Sequence, residues 1–367
     1  MEEYLEILEK ILTKGEKKEN RTGIDTIAIA GAEFEHDMSE GFPLLTTRKL
    51  YTRGMLAETE FFIKGVTDKN WLRNKGVNIW DDWCNNHELF YRYNLESKET
   101  IARDFLKIYS EFKDSVPKER VHERFQKLVE KADSYFIKND KGQLQTNIKN
   151  SDLEDLVLKY DENLNITQLG FVATFGKYAL RDLGPIYGFQ WRHFGAKYET
   201  FDKDYSGEGI DQLKNIVDKL KTSPNDRRMI VSAWNPVDID SGKMALPPCH
   251  YAFQVTVING KLNLIWEQRS VDTPLGLPFN IAGYGTILHL LAKESGFKEG
   301  KLIGQLGDVH LYVNQVEKVK EQLSRKPGKL PTIKTDNFTN IFDWKYTDSK
   351  FENYNPQERI IFPPVAV

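Results

Sequence analysis

Apolar residues recur with helical spacing in some stretches of this chain and alternate with polar residues in others. Helical spacing predicts an amphipathic helix at the amino terminus, in MEEYLEILEKILTKG, and a second in GMLAETEFFIKG, which a glycine ends. Alternation predicts a strand in TIAIAGAEFEH, and from residue 182 onward the sequence is rich in strands and aromatic residues. We therefore predict an α+β fold, a mixed β-sheet with helices packed against it.

Residues 86–175 differ in character from the rest of the chain. Three charged, amphipathic segments are typical of surface helices: KETIARDFLKIYSEFKDSV, KERVHERFQKLVEKADSYF and SDLEDLVLKY. No chemically reactive cluster lies among them. We predict a single domain over residues 1–367 with residues 86–175 as a helical insertion. The alternative is that the insertion docks a partner, which the sequence does not name.

The clearest local signal is a β-hairpin. The segments HYAFQVTVI and KLNLIWEQRS flank Asn259-Gly260, a dipeptide typical of a two-residue hairpin turn. The regular register, counted outward from the turn, gives these pairs: Ile258 with Lys261, His250 with Arg269, and Cys249 with Ser270. A bulge would shift the outer pairs by one position.

This hairpin makes Cys249 a candidate nucleophile. Its register brings the guanidinium of Arg269 close to the thiol, and a neighbouring positive charge favours the reactive thiolate. Pro247 and Pro248 keep the segment before the cysteine out of a regular strand ladder. The competing interpretation is a small buried hydrophobic residue, the usual role of a single cysteine.

Two further segments place polar side chains where they could recognise a ligand. In GDVHLYVNQ the alternation puts polar residues on one strand face and apolar ones on the other: Asp308, His310, Tyr312 and Asn314 against Val309, Leu311 and Val313. The polar face is either simply exposed to solvent or recognises a hydroxyl group. The segment PFNIAGYGTILHLLAKESG predicts a helix from Pro278 to near Gly296. Asn280, in its first turn, either caps the helix or reads a base edge with one donor and one acceptor.

Paired arginines stand just before a predicted strand in NDRRMIVSAWNP. Arg227 and Arg228 suit a phosphate group through forked hydrogen bonds, although arginines are also common on surfaces.

Composition narrows the classes of partner. The 367 residues are 40% hydrophobic and 29% charged, with a formal net charge of -3, so no general attraction to nucleic acid or anionic membranes is expected. An anionic ligand would need a local arginine cluster. Cys84 and Cys249 lie far apart without metal-type spacing, and no apolar run is long enough for a signal peptide or membrane span. We expect a reduced, cytoplasmic protein without a metal ion.

Several long motifs together resemble one known family. They are NRTGIDT, GFPLLTTRK, NIWDDW, DLGPIYGFQWRHFG, DRRMIVSAWNP, MALPPCHYAFQ, QRSVDTPLGLPFNIAGY, GDVHLYVNQ and the terminal PPVAV. Their residues and their order along the chain resemble those of the folate-dependent, homodimeric thymidylate synthase family. The resemblance covers nearly the whole chain except residues 86–175, where family members differ in insert length.

This resemblance implies a reaction. A thymidylate synthase methylates dUMP to dTMP, and 5,10-methylenetetrahydrofolate supplies both the carbon and the hydride and leaves as dihydrofolate. Cys249 would attack C6 of the uracil and form a covalent adduct. Glu58 would organise water and relay protons at O4, supported by Tyr187 and His250. Asn280 would read the uracil edge and reject cytosine.

The resemblance also implies two binding sites. For dUMP, the residues implied are Arg21, Arg269, Ser270, Asp272, Asn280, His310 and Tyr312, with Arg227 and Arg228 from the other subunit of a homodimer. For the folate, they are Trp80, Trp83, Asp272, Leu275, Gly276, Phe279 and the terminal segment ending at Val367, which would close over the ligands. Asp272 is also expected among the catalytic residues. Neither a metal nor a nucleic acid is implied.

A few positions depart from the family's usual pattern, and they concern the packing around the folate more than the chemistry. They are Asp226, Thr273-Pro274, Gly283, Gly285, Thr59 and Glu60. Two alternatives stay open. One is a dUMP hydroxymethylase, in which water instead of hydride traps the methylene intermediate. The other is a catalytically silent nucleotide- or RNA-binding relative.

Overall fold

A computed structural model describes residues 1–20, 23–80, 136–138, 144–146, 182–242 and 244–363. Its helices, in chain order, are α1 Glu2–Lys14, α2 Thr52–Ile63, α3 Lys69–Arg73, α4 Tyr187–His193, α5 Gln212–Thr222, α6 Pro236–Asp240, α7 Gly276–Ser295 and α8 Val316–Leu323. Its strands are β1 Glu16–Lys18, β2 Thr26–Asp37, β3 Phe136–Lys138, β4 Leu144–Thr146, β5 Ile230–Ser232, β6 His250–Ile258, β7 Lys261–Asp272, β8 Lys298–Tyr312, β9 Thr332–Thr335 and β10 Ser349–Glu352. Short 3-10 helices cover Met38–Glu40, Val313–Gln315 and Tyr346–Asp348.

Six strands form one mixed sheet in the order β1-β2-β8-β7-β6-β5. Only β7 and β8 run parallel, since α7 carries the chain across between them; every other neighbouring pair is antiparallel. Helices pack against this sheet, so the predicted α+β class with a mixed sheet is confirmed. The strands β9 and β10 form a separate antiparallel pair.

The predicted hairpin is present, but its outer register differs from the regular one. Asn259 and Gly260 adopt φ angles of 50° and 71°, and Ile258 pairs with Lys261 as expected. A bulge between His250 and Ala252 then shifts the ladder by one position. His250 therefore pairs with Gln268 instead of Arg269. The backbone N–H of Arg269 donates to the Cys249 carbonyl oxygen at 2.9 Å, so the expected pairing of Cys249 with Ser270 is wrong.

The long helix α7 lies at the centre of the fold. It packs on β7 and β8 on one side and on α2 on the other, and its residues are buried around nearly the whole circumference. It begins at Gly276 instead of the predicted Pro278, which puts Asn280 in the second turn and not at a cap. It ends as predicted at Gly296, whose φ of 76° is left-handed.

The amphipathic helix α1 covers β2. Its apolar stripe of Tyr4, Ile7, Leu8 and Ile11 is buried in the core, and each such side chain contributes about 1.5–3 kcal/mol by leaving water. The predicted helix and strand in this region are confirmed.

At the other side of β2, strand β8 ends at Tyr312, where a 3-10 helix begins. Asn314 therefore does not share the strand face of Asp308, and Val313 is exposed.

Within residues 86–175 the structure describes only β3 and β4, which pair antiparallel. Nearly all residues of the three predicted helices lie outside the described residues; Phe136, the last residue of the second, belongs to β3. The single domain with a helical insertion stays a prediction.

Candidate active site

One cleft of about 400 Å³ collects most of the residues singled out in the sequence. It opens where β6 begins and where β7 and β8 end, with α2 and α7 on its other sides. Of the predicted residues, it is lined by Glu58, Trp80, Tyr187, Cys249, His250, Arg269, Ser270, Asp272, Leu275, Gly276, Asn280, His310 and Tyr312. Because these come from seven separate chain segments, only the tertiary fold brings them together.

The thiol of Cys249 lies next to the guanidinium of Arg269. Nη2 of the arginine is 4.0 Å from Sγ. Two further bonds hold the guanidinium: Nε donates to the carbonyl of Pro248 and Nη2 to that of Pro247, each at 2.9 Å. The double proline thus exposes two carbonyl oxygens that fix the arginine beside the thiol. The predicted proximity of guanidinium and thiol is confirmed, although the register that brings it about is not the regular one.

A buried aromatic pair supports the cysteine from behind. The backbone N–H of Cys249 donates to the hydroxyl of Tyr187 at 2.8 Å, and the tyrosine ring stacks on His250 with 4.3 Å between centroids. Nδ1 of His250 is hydrogen-bonded to the Tyr284 hydroxyl at 2.8 Å. Burial lowers the pKa of His250 to about 3 and raises the pKa of both tyrosines above its ordinary value. The imidazole is therefore neutral and both phenols keep their protons at neutral pH.

The carboxyl group of Glu58 faces the cleft from α2. Nε1 of Trp80 donates to its Oε1 at 2.7 Å. Burial raises the pKa of Glu58 to about 7, and the bond from the indole, which favours the charged form, lowers it in part. A carboxyl group with this pKa can both take up and release a proton near neutral pH.

The amide of Asn280 is oriented by a residue that the sequence analysis missed. Nε2 of Gln268 donates to Oδ1 of Asn280 at 3.0 Å, and Oε1 of the same glutamine accepts from the Trp266 indole at 3.1 Å. The Asn280 oxygen therefore faces Gln268. Gln268 is buried; in the sequence it stands two residues before Ser270 and opens the motif QRSVDTPLGLPFNIAGY.

A polar chain lies at the end of β8. Nδ1 of His310 is 2.9 Å from Oδ1 of Asp308, which also forms an ion pair with Lys18. The parallel pairing of β7 with β8 sets Ser270 beside Asp308 and Asp272 beside His310. Because Asp308 occupies Nδ1, Nε2 is the ring nitrogen left for a ligand.

The opposite wall is formed around the start of α7. Asp272 accepts from the Leu275 N–H and from Gln315 Nε2, each at 3.2 Å; burial raises its pKa, and these bonds counteract part of that rise. The remaining wall is mainly apolar and comprises Ile79, Trp80, Leu246, Leu275 and Gly276. Phe279 does not line the cleft but packs against the adjoining core.

Arg227 and Arg228 are not brought into this cleft. Both are exposed and line a separate surface depression of residues 222–228. Nε of Arg228 donates to Asp226 at 2.9 Å, and bonds from Arg228 and Lys219 hold the pKa of that carboxyl well below its ordinary value. The unusual acid before the arginine pair therefore orients one of its members.

Three predicted site residues, Arg21, Trp83 and Val367, lie outside the described residues. The structure does describe Asn20, next to Arg21, and Phe362, in the segment that ends at Val367. Asn20 lines the cleft, and the ring of Phe362 lies 5.0 Å from the guanidinium carbon of Arg48. Arg48 also donates to the carbonyl of Pro274, directly before Leu275, so the described part of the carboxyl-terminal segment is linked to the apolar wall.

Known proteins match nearly the whole chain in sequence. A family model described as "Thymidylate synthase" matches residues 2–367. The chain belongs to the thymidylate synthase family. It is 35% identical over 359 residues to the thymidylate synthase of Homo sapiens, covering 98% of this chain and 88% of that protein. It is 36% identical over 371 residues to the thymidylate synthase of Saccharomyces cerevisiae, covering 98% and 95%.

A longer relative matches as well. The bifunctional dihydrofolate reductase-thymidylate synthase of Paramecium tetraurelia is 34% identical over 358 residues; these are 98% of this chain and 60% of that protein, so the chain spans well under the whole length of this relative. The family and the enzyme class predicted from the sequence motifs, thymidylate synthase and hence methyltransferase, are confirmed.

Two of the departures from the thymidylate synthase pattern, Glu60 and Thr59, form local hydrogen bonds. Glu60 is buried and accepts from the Tyr346 N–H at 3.0 Å, away from Glu58. Thr59 donates to the Met55 carbonyl, and a side chain at Gly283 would contact its hydroxyl at 3.6 Å.

None of the described helices is long and apolar enough to cross a membrane.

Proposed function

We propose that this chain is a thymidylate synthase that converts dUMP and 5,10-methylenetetrahydrofolate into dTMP and dihydrofolate. The observation that carries this proposal is the cleft in which the Cys249 thiol, the Glu58 carboxyl and the Asn280 amide converge. A nucleophile, a proton carrier and a group that can read a pyrimidine edge are what methylation of a uracil carbon needs.

The first step assigns the nucleophile. The Cys249 thiolate adds to C6 of the uracil, which makes C5 a carbon nucleophile toward the methylene group of the folate. Arg269 supports this step because its guanidinium lies 4.0 Å from the sulfur and stabilises the anionic form. Nε and Nη2 bind proline carbonyls and Nη2 also faces the sulfur, which leaves Nη1 for the phosphate of dUMP.

The proton-transfer role falls to Glu58. With a pKa raised to about 7 it can shuttle a proton through water to the uracil O4 as charge develops there. Tyr187 and His250 hold this network in place: the tyrosine binds the backbone of Cys249, and the neutral imidazole binds Tyr284. We assign both as positioning residues.

Recognition of dUMP uses the other side of the cleft. Asn280 would donate from its amide nitrogen to O4 and accept from N3–H at its second oxygen lone pair, the reverse of what cytosine offers. His310, through Nε2, and Tyr312 would bind the sugar 3'-hydroxyl. Ser270 and Arg269, together with Arg21, would hold the phosphate.

The apolar wall fits the reduced folate. The flat indole of Trp80 and the side chains of Leu275 and Ile79 offer stacking and apolar contact to a pterin, and Gly276 leaves room beside them. As co-substrate, the folate supplies the carbon and the hydride. Closure of the segment ending at Val367 would exclude water and so favour hydride transfer over hydroxymethylation.

We further propose a homodimer, located in the cytoplasm. The support for the dimer is that Arg227 and Arg228 are exposed and outside their own chain's cleft, with Arg228 oriented by Asp226. A second copy that placed these guanidiniums at the phosphate would complete the anion site.

The deciding experiment incubates the purified chain with dUMP and 5,10-methylenetetrahydrofolate and identifies the nucleotide by mass while following dihydrofolate absorbance. We expect dTMP and dihydrofolate in equal amounts, loss of both in Cys249→Ala, and near-normal turnover in the matched control Cys84→Ala. A hydroxymethylated nucleotide without dihydrofolate would show the hydroxymethylase instead. Binding of dUMP without any product would show a silent relative.

Subunit complementation tests the dimer. Mixing inactive Cys249→Ala with inactive Arg227→Ala/Arg228→Ala chains should restore about a quarter of the activity, because half of the subunits are then in mixed dimers and each mixed dimer has one complete site. Inactive mixtures, with both variants folded and exchanging subunits, would contradict the shared site.

A further inference from the structure

We infer that Glu3, His36 and Glu40 form a binding site for a Zn²⁺ ion, at the end of β2 away from the catalytic cleft. The site joins the first turn of α1, the end of β2 and the 3-10 helix that follows it. One ligand atom from each residue, a histidine ring nitrogen and two carboxylate oxygens, lies within 4.8 Å of the others.

The histidine provides the evidence that a ligand belongs here. Alternation along β2 turns His36 inward together with Phe34, and only 1% of His36 is exposed. Its Nε2 lies 2.8 Å from the carbonyl oxygen of Gly41, which can only accept, so Nε2 carries the proton. Nδ1 therefore has a free lone pair, and it is buried without a hydrogen-bond partner among the described residues.

This arrangement is the one that metal-binding histidines adopt. A histidine ligand usually donates its second ring N–H to a backbone carbonyl or a carboxylate, which fixes the tautomer and aims the other nitrogen at the metal. An imidazole lone pair left unpaired in a protein interior otherwise costs stability. The hydrogen bond to Gly41 thus prepares His36 as a ligand.

The two carboxylates complete the donor set. Oε2 of Glu3 is also buried without a hydrogen bond among the described residues, and it lies 3.1 Å from the amino group of Met1. Glu40 is exposed and free to adjust its side chain. Zn²⁺ bonds of about 2.0–2.2 Å require the three ligand atoms to approach to roughly 3.5 Å, which side-chain rotation can supply.

The chemistry of the donors selects the class of ion. Two carboxylates neutralise a divalent charge, and an imidazole nitrogen suits Zn²⁺, whereas Mg²⁺ and Ca²⁺ prefer oxygen ligands throughout. The site lies far from the cleft, because Thr26 lines the cleft and His36 is ten residues along the same strand (36 − 26), about 33 Å away. The ion would therefore link α1 to the sheet and would not take part in the reaction.

The test uses the untagged chain of 367 residues with Cys249→Ser, which removes the reactive thiol as a competing ligand. Competition with a chromophoric zinc chelator should show one Zn²⁺ per chain. Glu40→Gln changes an exposed position and should not disturb folding. It should weaken Zn²⁺ binding by more than roughly 10- to 100-fold, which is the loss seen when only a hydrogen-bond partner of a metal ligand is removed. Glu3→Gln and His36→Gln should do the same, and the matched control Glu2→Gln, exposed on the same helix, should not.

Two further readouts separate a metal site from a structural role of these side chains. Zn²⁺, but not Mg²⁺, should raise Tm in the parent and in Glu2→Gln and leave Tm unchanged in Glu40→Gln. Co²⁺ should give visible d–d absorption without a thiolate charge-transfer band. Absence of saturable Zn²⁺ uptake, equal affinity in Glu40→Gln and Glu2→Gln, or thiolate ligation would each overturn the proposal.

Discussion

The indole of Trp80 donates a 2.7 Å hydrogen bond to the carboxylate of Glu58; Glu58 belongs to α2 and Trp80 to a turn after α3. The bond joins the apolar wall of the cleft to its acid–base group. Because it favours the charged carboxylate, it opposes the effect of burial on the pKa of Glu58.

Replacing Trp80 by phenylalanine should therefore raise the pKa of Glu58 above its present value of about 7. The acid limb of the kcat–pH profile should move to higher pH, with kcat at pH 7 falling by roughly tenfold, as about 1.5 kcal/mol for a hydrogen bond to a charged group implies. Measurement of kcat from pH 5 to 9 checks this. Trp71→Phe, a half-buried tryptophan packed on Phe61 outside the cleft, is the control. An unshifted profile with a uniform loss would point to folate contact alone.

Glu58→Gln should lower kcat by about 10²- to 10⁴-fold and yet stabilise the protein above neutral pH. The folded-state pKa of about 7 lies above the ordinary 4.5, so the protonated group contributes stability that is lost as the pH rises from about 4.5 to 7. The glutamine variant lacks this loss. Its free energy of unfolding should exceed that of the parent by up to about 3 kcal/mol at pH 8 and match it near pH 4.5. Denaturant titrations at both values decide; equal stability at pH 8 would refute the raised pKa.

Arg269→Gln should slow the alkylation of Cys249 in the absence of ligand. The guanidinium is exposed, so its 4.0 Å approach to Sγ is screened, and we expect about 1 kcal/mol of thiolate stabilisation, or about a fivefold slower reaction at pH 7. The rate of iodoacetamide labelling of Cys249, followed by peptide mass, measures this. Lys214→Gln removes the same charge from the exposed face of α5 and should leave the rate unchanged. The same slowing in both variants would mean that net charge, and not contact, is responsible.

Gln268→Glu should alter base selection through its contact with Asn280. A glutamate can still accept from the Trp266 indole, but its oxygen would face Oδ1 of Asn280 and favour a flipped amide. The flipped amide presents its donor and acceptor in the order that cytosine matches. The ratio of kcat/KM for dUMP over dCMP should then fall by about 10- to 100-fold, as 1.5–3 kcal/mol implies. Gln268→Met is the control, because it removes the donor to Asn280 without adding an acceptor. It should leave the Asn280 amide unoriented but not reversed. An equal kcat/KM ratio for dUMP over dCMP in both variants would contradict the flipped amide.

The elements with a local cause follow from the amino-acid sequence alone. The hairpin follows from Asn259-Gly260, since these residues accept positive φ angles, and the end of α7 follows from Gly296 for the same reason. The burial of β2 and α1 follows from the spacing of their apolar residues. The motifs around Cys249 and Asn280 also sufficed to name the family, because long runs of residues at a catalytic site leave little freedom for chance agreement.

Relations between residues that are distant in the chain depend on how the fold brings them together. The bulge before Ala252, which sets the backbone of Arg269 opposite Cys249, depends on how the whole sheet closes, and no local pattern marks it. The orientation of Asn280 by Gln268 needs β7 and α7 in contact, and the raised pKa of Glu58 needs the burial that several elements produce together. Electrostatic and hydrogen-bonding effects act through space at a few ångströms, whereas sequence patterns report only neighbours along the chain.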